Sequence, residues 1–566
     1  MEETKCDGAY RRSFARTFPG IDRRSAHGGA REMVNFRIAD DGTLVKRCGY
    51  DSVLSMPGTP RAVFEGFLDG EEIFYFLVGN TVFRRDGTSD VGYRKVDTVG
   101  STEGEAAFAP FLGDLYLFDG EEVYVKTKGG FITVEGYIPL YGVEWDPVDC
   151  GEVYESENFL TRRVRIRYRN AKQLESLRFG RRVLSVDRVM GDEVEIPLSS
   201  VTLLETGLKC TCPAFSDYAN IEVTVTLNTP EKRDRIAGCR SAYVYGGAGD
   251  TRLFCYDGAD AMRLYGSYPV SASEAEASEA ISGKVGGALY FPIDHNVYHV
   301  GAPVTALCRH FDRVLIFTSA GLWAVDCSDD VSVVRVHDTV GCDKRGCAVL
   351  CGDDPIAYFD GQLYRFRAKS NARNEYSAEV LSSPIAEQVA ALVSQSVQMC
   401  YYGGVGEMWM ISPEGHPGTV WIYHPKKDAF YTFSGVYAER LIASTDDPTL
   451  IYGETLWKFD ERLQVDRGTE TVTAYYESAA IDFDAPDCPK RLLRAFVECD
   501  PGGGEITMRC YGERGCAAVS LLGNGNGMPN AYDRRVSIGR FRLMRCSFTA
   551  SGEARQRIFS RLLICR

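Results

Sequence analysis

The chain has 566 residues, 45% of them hydrophobic and 25% charged, with a formal net charge of −14. That composition excludes a disordered or low-complexity protein and leaves room for roughly three or four domains, each with a core of its own. No run of about 18 apolar residues occurs and the start, Met1-Glu-Glu-Thr-Lys-Cys-Asp-Gly, is polar, so neither a membrane span nor a secretory signal is expected and synthesis should be cytoplasmic.

Residues 1–59 are rich in Arg and Gly and alternate little, which reads as an extended N-terminal arm lying along another surface or a neighbouring subunit. Only Leu44 to Cys48 has strand character. From residue 60 to 139 a hairpin pattern sets in, as Ile73-Phe-Tyr-Phe-Leu-Val-Gly-Asn-Thr-Val-Phe83 and Asp114-Leu-Tyr-Leu-Phe-Asp-Gly-Glu-Glu-Val-Tyr-Val125. Gly-Asn and Asp-Gly are residues that accept positive φ in tight hairpins.

Between 140 and 235 the style changes to alternating strands, read as an inserted small β domain. In Arg163-Val-Arg-Ile-Arg-Tyr-Arg169 the period of two places Arg163, Arg165, Arg167 and Arg169 on one face and Val164, Ile166 and Tyr168 on the other. Arg181 and Arg182, with Lys172 and Arg178, extend that basic stripe.

The hairpins resume over 236–467. Turn glycines Gly321, Gly361, Gly418 and Gly453 follow one another at spacings compatible with four-stranded propeller blades, and four of the five tryptophans, Trp323, Trp409, Trp421 and Trp457, fall in these strands. Ser271 to Ala280 forms a helix or a flexible loop, and Ser383-Pro-Ile-Ala-Glu-Gln-Val-Ala-Ala-Leu-Val393 reads as a short helix with Ile385, Val389, Leu392 and Val393 on one face. Residues 468–566, with Gly-rich turns between regular strands, read as a C-terminal β-sandwich. The fold expected is therefore all-β: a propeller of about six or seven blades, an inserted β domain and a closing sandwich.

Charge is segregated along the chain. Residues 237–467 hold 19 basic and 29 acidic side chains, residues 11–50 hold 9 and 4, and residues 534–566 hold 9 and 1. Arg534, Arg535, Arg540, Arg542 and Arg545 are the candidate assembly-contact basic tail, and such segregation points to surfaces that meet different partners.

Signals for chemistry are weak. His295-Asn-Val-Tyr-His299 sits in a strand-like stretch, where residues four apart do not readily chelate one ion. Asp329-Asp330, Asp353-Asp354 and Asp446-Asp447 read as calcium loops, glycosidase carboxylates or, more plainly, turn formers. The cluster Cys342, Cys347, Cys351 and the pair Cys210, Cys212 lack a zinc-knuckle spacing, and the 19 cysteines read as buried small hydrophobes. No P-loop, nucleotide-binding glycine fingerprint or Gly-x-Ser-x-Gly elbow is present, so no catalytic residue, metal or cofactor is assigned.

An arm carrying Gly20-Ile-Asp22, Asn35 and Lys46-Arg-Cys-Gly-Tyr50, a propeller with an inserted β domain, Ser383-Pro-Ile before Met408-Trp-Met-Ile and Val420-Trp-Ile-Tyr-His-Pro-Lys-Lys-Asp-Ala-Phe-Tyr431, and a terminal sandwich resemble the propeller-bearing neck and tail proteins of tailed double-stranded DNA phages, of the packaged-DNA stabilisation, tail accessory or tail nozzle type. The resemblance implies a structural virion protein in a ring homo-oligomer, expected as a hexamer. Its partners would be the portal or adaptor, other tail proteins and passing double-stranded DNA held without sequence preference, with no membrane. It supplies no catalytic residues. On this reading the Arg163–Arg169 stripe and the C-terminal arginines face DNA or a neighbouring subunit. Two other classes stand beside it: a tail-tip or baseplate protein binding host glycans, and a propeller glycosidase.

Overall fold

The computed structural model describes residues 11–566 except 26–27, 69, 90, 147–149, 152–153, 170–175, 231, 247–250, 328–332, 370–373, 444–446 and 524–528. The chain is all-β, with α-helix among the described residues limited to Asp234–Ala237, Ala272–Ser282 and Ala386–Ala390. It divides into two compact units: residues 60–319 with 323–335, and residues 1–59 with 320–322 and 336–566.

The first of these units holds four four-stranded antiparallel sheets. Their first strands are Ala62–Leu68, Ala107–Phe111, Ser241–Gly246 and Val304–His310, each beside the next. Consecutive sheets also stack face to face. Phe64, Tyr75 and Leu77 meet Leu115, Leu117 and Phe131; Tyr116, Phe118 and Val123 meet Leu253, Cys255 and Tyr265; Phe254, Tyr256 and Leu264 meet Val314, Ile316 and Val325. The alternation that makes each strand two-faced is what permits this, since a strand apolar on both faces is stable only between two neighbours. The expected turn glycine Gly79 has φ 55° between Val78 and Thr81, a conformation only glycine adopts without steric cost.

Between the second and third sheets lie a five-stranded sheet, with Leu140–Trp145 parallel to Arg163–Arg169, and a three-stranded sheet. They enclose a separate core of Trp145, Val164, Ile166, Tyr168, Phe179, Phe215 and Val223. Ser271 to Ala280 is helical, closed by a capping box between Ser271 and Glu274.

The other unit holds three further runs of four strands, two of them separate sheets and the middle one the first part of a nine-stranded sheet, whose first strands Ala348–Cys351, Gln398–Tyr402 and Arg440–Leu441 again neighbour in order. The last of them takes its fourth strand, Tyr50–Ser55, from the start of the chain, paired with Thr455–Phe459. Trp409 packs edge-on against Tyr402, Phe433 and Phe459 at ring distances of 5.6, 5.5 and 4.9 Å, joining two of these sheets. The stretch Ser383–Val393 is a 3-10 turn followed by five α-helical residues; Ile385, Val389 and Leu392 are buried, but Val393 is exposed and no side chain caps the start.

Residues 11–59 differ most from expectation. In place of one strand in an extended arm they supply five, all paired within the chain. Arg11–Ala15 runs antiparallel to Arg561–Cys565, and Phe36–Ile38 and Leu44–Lys46 continue the same six-stranded sheet. Ala30–Val34 joins Ala429–Ser434 to Ala474–Ser478, so that one nine-stranded sheet runs from a four-stranded unit into the C-terminal strands. Partners some 400–550 residues away leave no trace in local patterning, which is why these strands read as irregular.

Candidate functional site

The alternation in Arg163–Arg169 holds: Val164, Ile166 and Tyr168 enter the core of the inserted sheets. The arginine face, however, is not a free basic stripe. Arg165 is buried, its Nε donating to the Ile138 carbonyl at 3.0 Å, its Nη2 donating to the Tyr137 hydroxyl at 3.0 Å, and its guanidinium over the Tyr137 ring. That hydroxyl donates onward to Glu155 at 3.1 Å. Burial pushes the Glu155 carboxyl above its ordinary range, offset by hydrogen bonds from Leu140 and Tyr137 and by the Arg165 charge.

Arg163 pairs with Glu135 and Asp187, and Arg167 with Glu222 at 2.9 Å. Arg181 pairs with Glu157 while lying over the Tyr141 ring. Arg169 and Arg182 are exposed. A cavity of about 720 Å³ separates Arg165 and Arg167 from Ala277, Ala280 and Ile281 of the Ser-Glu-Ala helix, whose Glu274 feels the Arg165 charge. Own-chain carboxylates thus pair with Arg163, Arg167 and Arg181, and Arg165 is taken up by a carbonyl and a tyrosine hydroxyl. Arg165→Met is expected to destabilise by about 2 kcal/mol, because it strands buried acceptors, whereas Arg167→Ala should change stability by less than about 1 kcal/mol. Urea midpoints of the two variants check the ranking.

At the C-terminal end Arg534 and Arg535 close the edge strand Asn530–Arg535 with exposed side chains. Arg534 lies over the Tyr532 ring at 5.6 Å, and Arg540 and Arg542 are exposed on the following segment. Among the described residues none of these four is within ion-pair distance of a carboxylate, whereas the half-buried Arg545 pairs with Glu477.

The residues that sequence reasoning left without a role are the motif Lys46-Arg-Cys-Gly-Tyr50 and Asn35. All five N–H donors of buried Arg47 are used: two to Asp466 at 2.7 and 2.6 Å, one to Asn35 Oδ1 at 2.9 Å, and one each to the carbonyls of Cys48 and Ser434 at 3.0 and 3.1 Å. The guanidinium lies over the rings of Phe433 and Phe459. Asn35, at φ 56°, also donates to the Thr473 carbonyl at 2.8 Å. Gly49 admits no side chain, since a Cβ there would stand 1.9 Å from the Val465 carbonyl oxygen. The Tyr50 hydroxyl donates to the Gly435 carbonyl at 2.8 Å. Lys46, 2% exposed, donates to the Gly552 carbonyl at 2.5 Å, and burial beside Arg47 brings its pKa down to about 8.

Next to this knot a polar cavity of about 270 Å³ is lined by Arg37, Lys46, Glu407, His424, Glu461 and Gln464, among others. Arg37 meets Glu407 at 3.0 Å, and Glu407 also accepts from Trp409 Nε1 at 2.9 Å and the Tyr431 hydroxyl at 2.6 Å. His424 Nδ1 is buried without a hydrogen-bond partner, and burial lowers the His424 pKa. Below the ordinary histidine value of about 6.5 the unfolded chain takes up the proton first, so this residue's contribution is lost as pH falls from there toward the lowered value. Unfolding midpoints at pH 7.5 and 5.5 should differ less in His424→Gln than in the parent.

Among the described residues no group of three or more His, Cys, Asp and Glu is placed to hold a metal. Asp329-Asp330 and Asp446 lie outside the described residues, as does Lys172; Asp354 pairs with Arg367 at 3.6 Å and Asp447 with Lys458 at 3.5 Å. Cys342 and Cys347 donate separately to the carbonyls of Lys344 and Val397. Of the 17 free cysteines described, only Cys150 and Cys516 are not fully buried, whereas Cys488 is disulfide-bonded.

No family model and no curated protein matches the chain. Solved structures that align with it include PorZ, a surface component of the type-IX secretion system of Porphyromonas gingivalis (10% identity, TM-score 0.35, 86% of this chain and 46% of that one). Others are the AfRom2 CNH domain (8%, 0.35, 72% and 97%) and the Cps50 (Swd1) β-propeller domain of Myceliophteria thermophila (8%, 0.30, 73% and 100%). The chain thus spans about half the length of the secretion component.

Proposed function

We propose that this chain is a structural virion protein of a tailed phage or prophage, one subunit of a ring at the head–tail junction or tail nozzle that continues and closes the DNA channel. The observation that carries the reading is the role of the residues on which the family resemblance rests. Asn35, Lys46, Arg47, Gly49 and Tyr50 are spent on holding strands from the start of the chain to sheets at its end. They build architecture, and function through shape is what a channel-closing ring requires.

In the same proposal the six four-stranded sheets, with the four strands from Gln398–Tyr402 to Ala429–Ser434 of the nine-stranded sheet, are the blades of a propeller of about six or seven blades, with neighbouring first strands as the inner ones. The subunits form a homo-oligomeric ring, a hexamer, that contacts the portal or adaptor and other tail proteins. Double-stranded DNA passing through would meet scattered cations, of which Arg169, Arg182, Arg534, Arg535, Arg540 and Arg542 are exposed. Contacts of this kind weaken steeply with salt and carry no sequence preference, which suits a strand that must slide.

Gold-labelled antibody against this chain, applied to particles of the producing phage and viewed by electron microscopy, tests the reading. Label at the neck or nozzle is the expected result. Label at a distal tip, or on no particle, overturns it.

A further inference from the structure

The nine-stranded sheet ends on a strand with one open side. Gly515–Leu522 pairs with Glu505–Gly512, and among the described residues no strand pairs with its other side. The two are joined by the two-residue turn Glu513-Arg514, which makes Gly512 and Gly515 the first hydrogen-bonded pair of the ladder. Bonded and non-bonded pairs alternate from there, so the N–H and C=O groups of Cys516, Ala518 and Ser520 point away from the hairpin. The edge closes at Leu522, whose carbonyl accepts the Tyr532 hydroxyl at 2.6 Å.

Edge strands are ordinarily guarded by charge, proline or shortness. Tyr93–Thr98, Val333–His337, Tyr376–Val380 and Asn530–Arg535, each the last strand of its sheet, all carry charged side chains. Gly515–Leu522 is eight residues long and has neither a charge nor a proline. Leu521 is buried and Val519 half-buried, while Cys516, Ala518, Ser520 and Leu522 are exposed. Free backbone donors and acceptors beside small uncharged side chains make a surface to which a further strand adds.

The surrounding charge selects the kind of strand. Arg514, Arg540 and Arg542 are exposed around the Gly515 end, where Glu513 accepts from the Arg542 backbone N–H at 3.2 Å and Ile538 stands beside Gly512 and Gly515. Arg509 is exposed opposite Ala518. Among the described residues none of these four arginines forms an ion pair. The exposed acids nearby are Glu513 and, at the far end beside Leu522, Glu505.

We propose that Gly515–Leu522 is a strand-acceptor site, completed by an extended segment of a partner protein that is uncharged along Cys516–Leu522 and acidic where it passes Arg514, Arg540 and Arg542. The segment's backbone bonds the open N–H and C=O groups of Cys516, Ala518 and Ser520, and its carboxylates meet the arginines. The site stands on the sheet edge and does not depend on the virion reading.

The probe is a synthetic peptide of alternating threonine and valine with aspartates at both ends, titrated into the full chain at low salt. Binding is read as slowed amide exchange over residues 515–522 and as protection of the exposed Cys516 from iodoacetamide, located by peptide mass mapping. The same peptide with lysines in place of the aspartates should bind roughly tenfold more weakly. Ala518→Pro removes a donor of the open edge and none of the inner ladder, so it should abolish binding. Because a proline risks distorting the strand, Ser520→Glu is the second variant: it keeps every backbone group and should weaken binding of the acidic peptide. No protection by the acidic peptide, equal binding of the two peptides, or binding unchanged in both variants overturns the proposal. Protection that appears without peptide and rises with protein concentration overturns it in favour of pairing between copies of this chain.

Discussion

Replacing Arg47 with methionine is expected to destabilise the unit formed by residues 1–59 and 336–566 by about 3–5 kcal/mol, since it leaves Asp466 charged and buried without a partner. The side chains of Arg47 and Asp466 are 1% and 5% exposed, so water cannot take over the lost contacts. Three neutral acceptors, Asn35 Oδ1 and the carbonyls of Cys48 and Ser434, lose donors at the same time. The double variant Arg47→Met, Asp466→Leu should recover most of the loss, because replacing both charges removes the uncompensated one. Urea unfolding followed by tryptophan fluorescence measures both. A cost below about 1 kcal/mol for Arg47→Met would show that the knot is not a point of stability.

A chain lacking residues 1–49 should fail to fold its C-terminal sheets. Truncation removes Arg11–Ala15, Phe36–Ile38 and Leu44–Lys46 from the six-stranded sheet and Ala30–Val34 from the nine-stranded one. It also takes away the buried side chains of Phe18, Ile21, Met33, Phe36, Ile38 and Leu44. Phe18 alone packs edge-on against Tyr476 and Phe548 at ring distances of 5.5 and 6.2 Å. At roughly 1.5–3 kcal/mol for each large apolar side chain, the loss rivals the whole stability of an ordinary domain, about 5–15 kcal/mol. Amide exchange should then show residues 474–565 unprotected. Protection equal to that of the full chain would mean that the N-terminal strands only decorate the sheets.

Charge was the least legible property of the sequence. The face shared by Arg163, Arg165, Arg167 and Arg169 follows from strand geometry alone, and the structure keeps it. Whether that face is free depends on Glu135, Asp187 and Glu222, brought there by other strands, and on a Tyr137–Glu155 pair that takes in Arg165. In contrast Arg534, Arg535, Arg540 and Arg542 remain exposed, as a run of arginines with a single acid over residues 534–566 would suggest.

What the sequence determined by itself is the strand–turn–strand unit. The turn at Gly79 and the one at Gly453, φ 61° between Tyr452 and Thr455, lie within a few residues of the strands they join, so residue type and alternation suffice to specify them. Tertiary structure decided which distant strands complete each sheet and which charges meet. Tyr50–Ser55 finishes a sheet begun at Arg440, and Arg47 finds Asp466 across 419 residues. The selection among such partners comes from burying whole faces together and pairing charges such as Arg47 and Asp466 that are buried with them, a condition on the packed molecule that no local stretch of the chain contains.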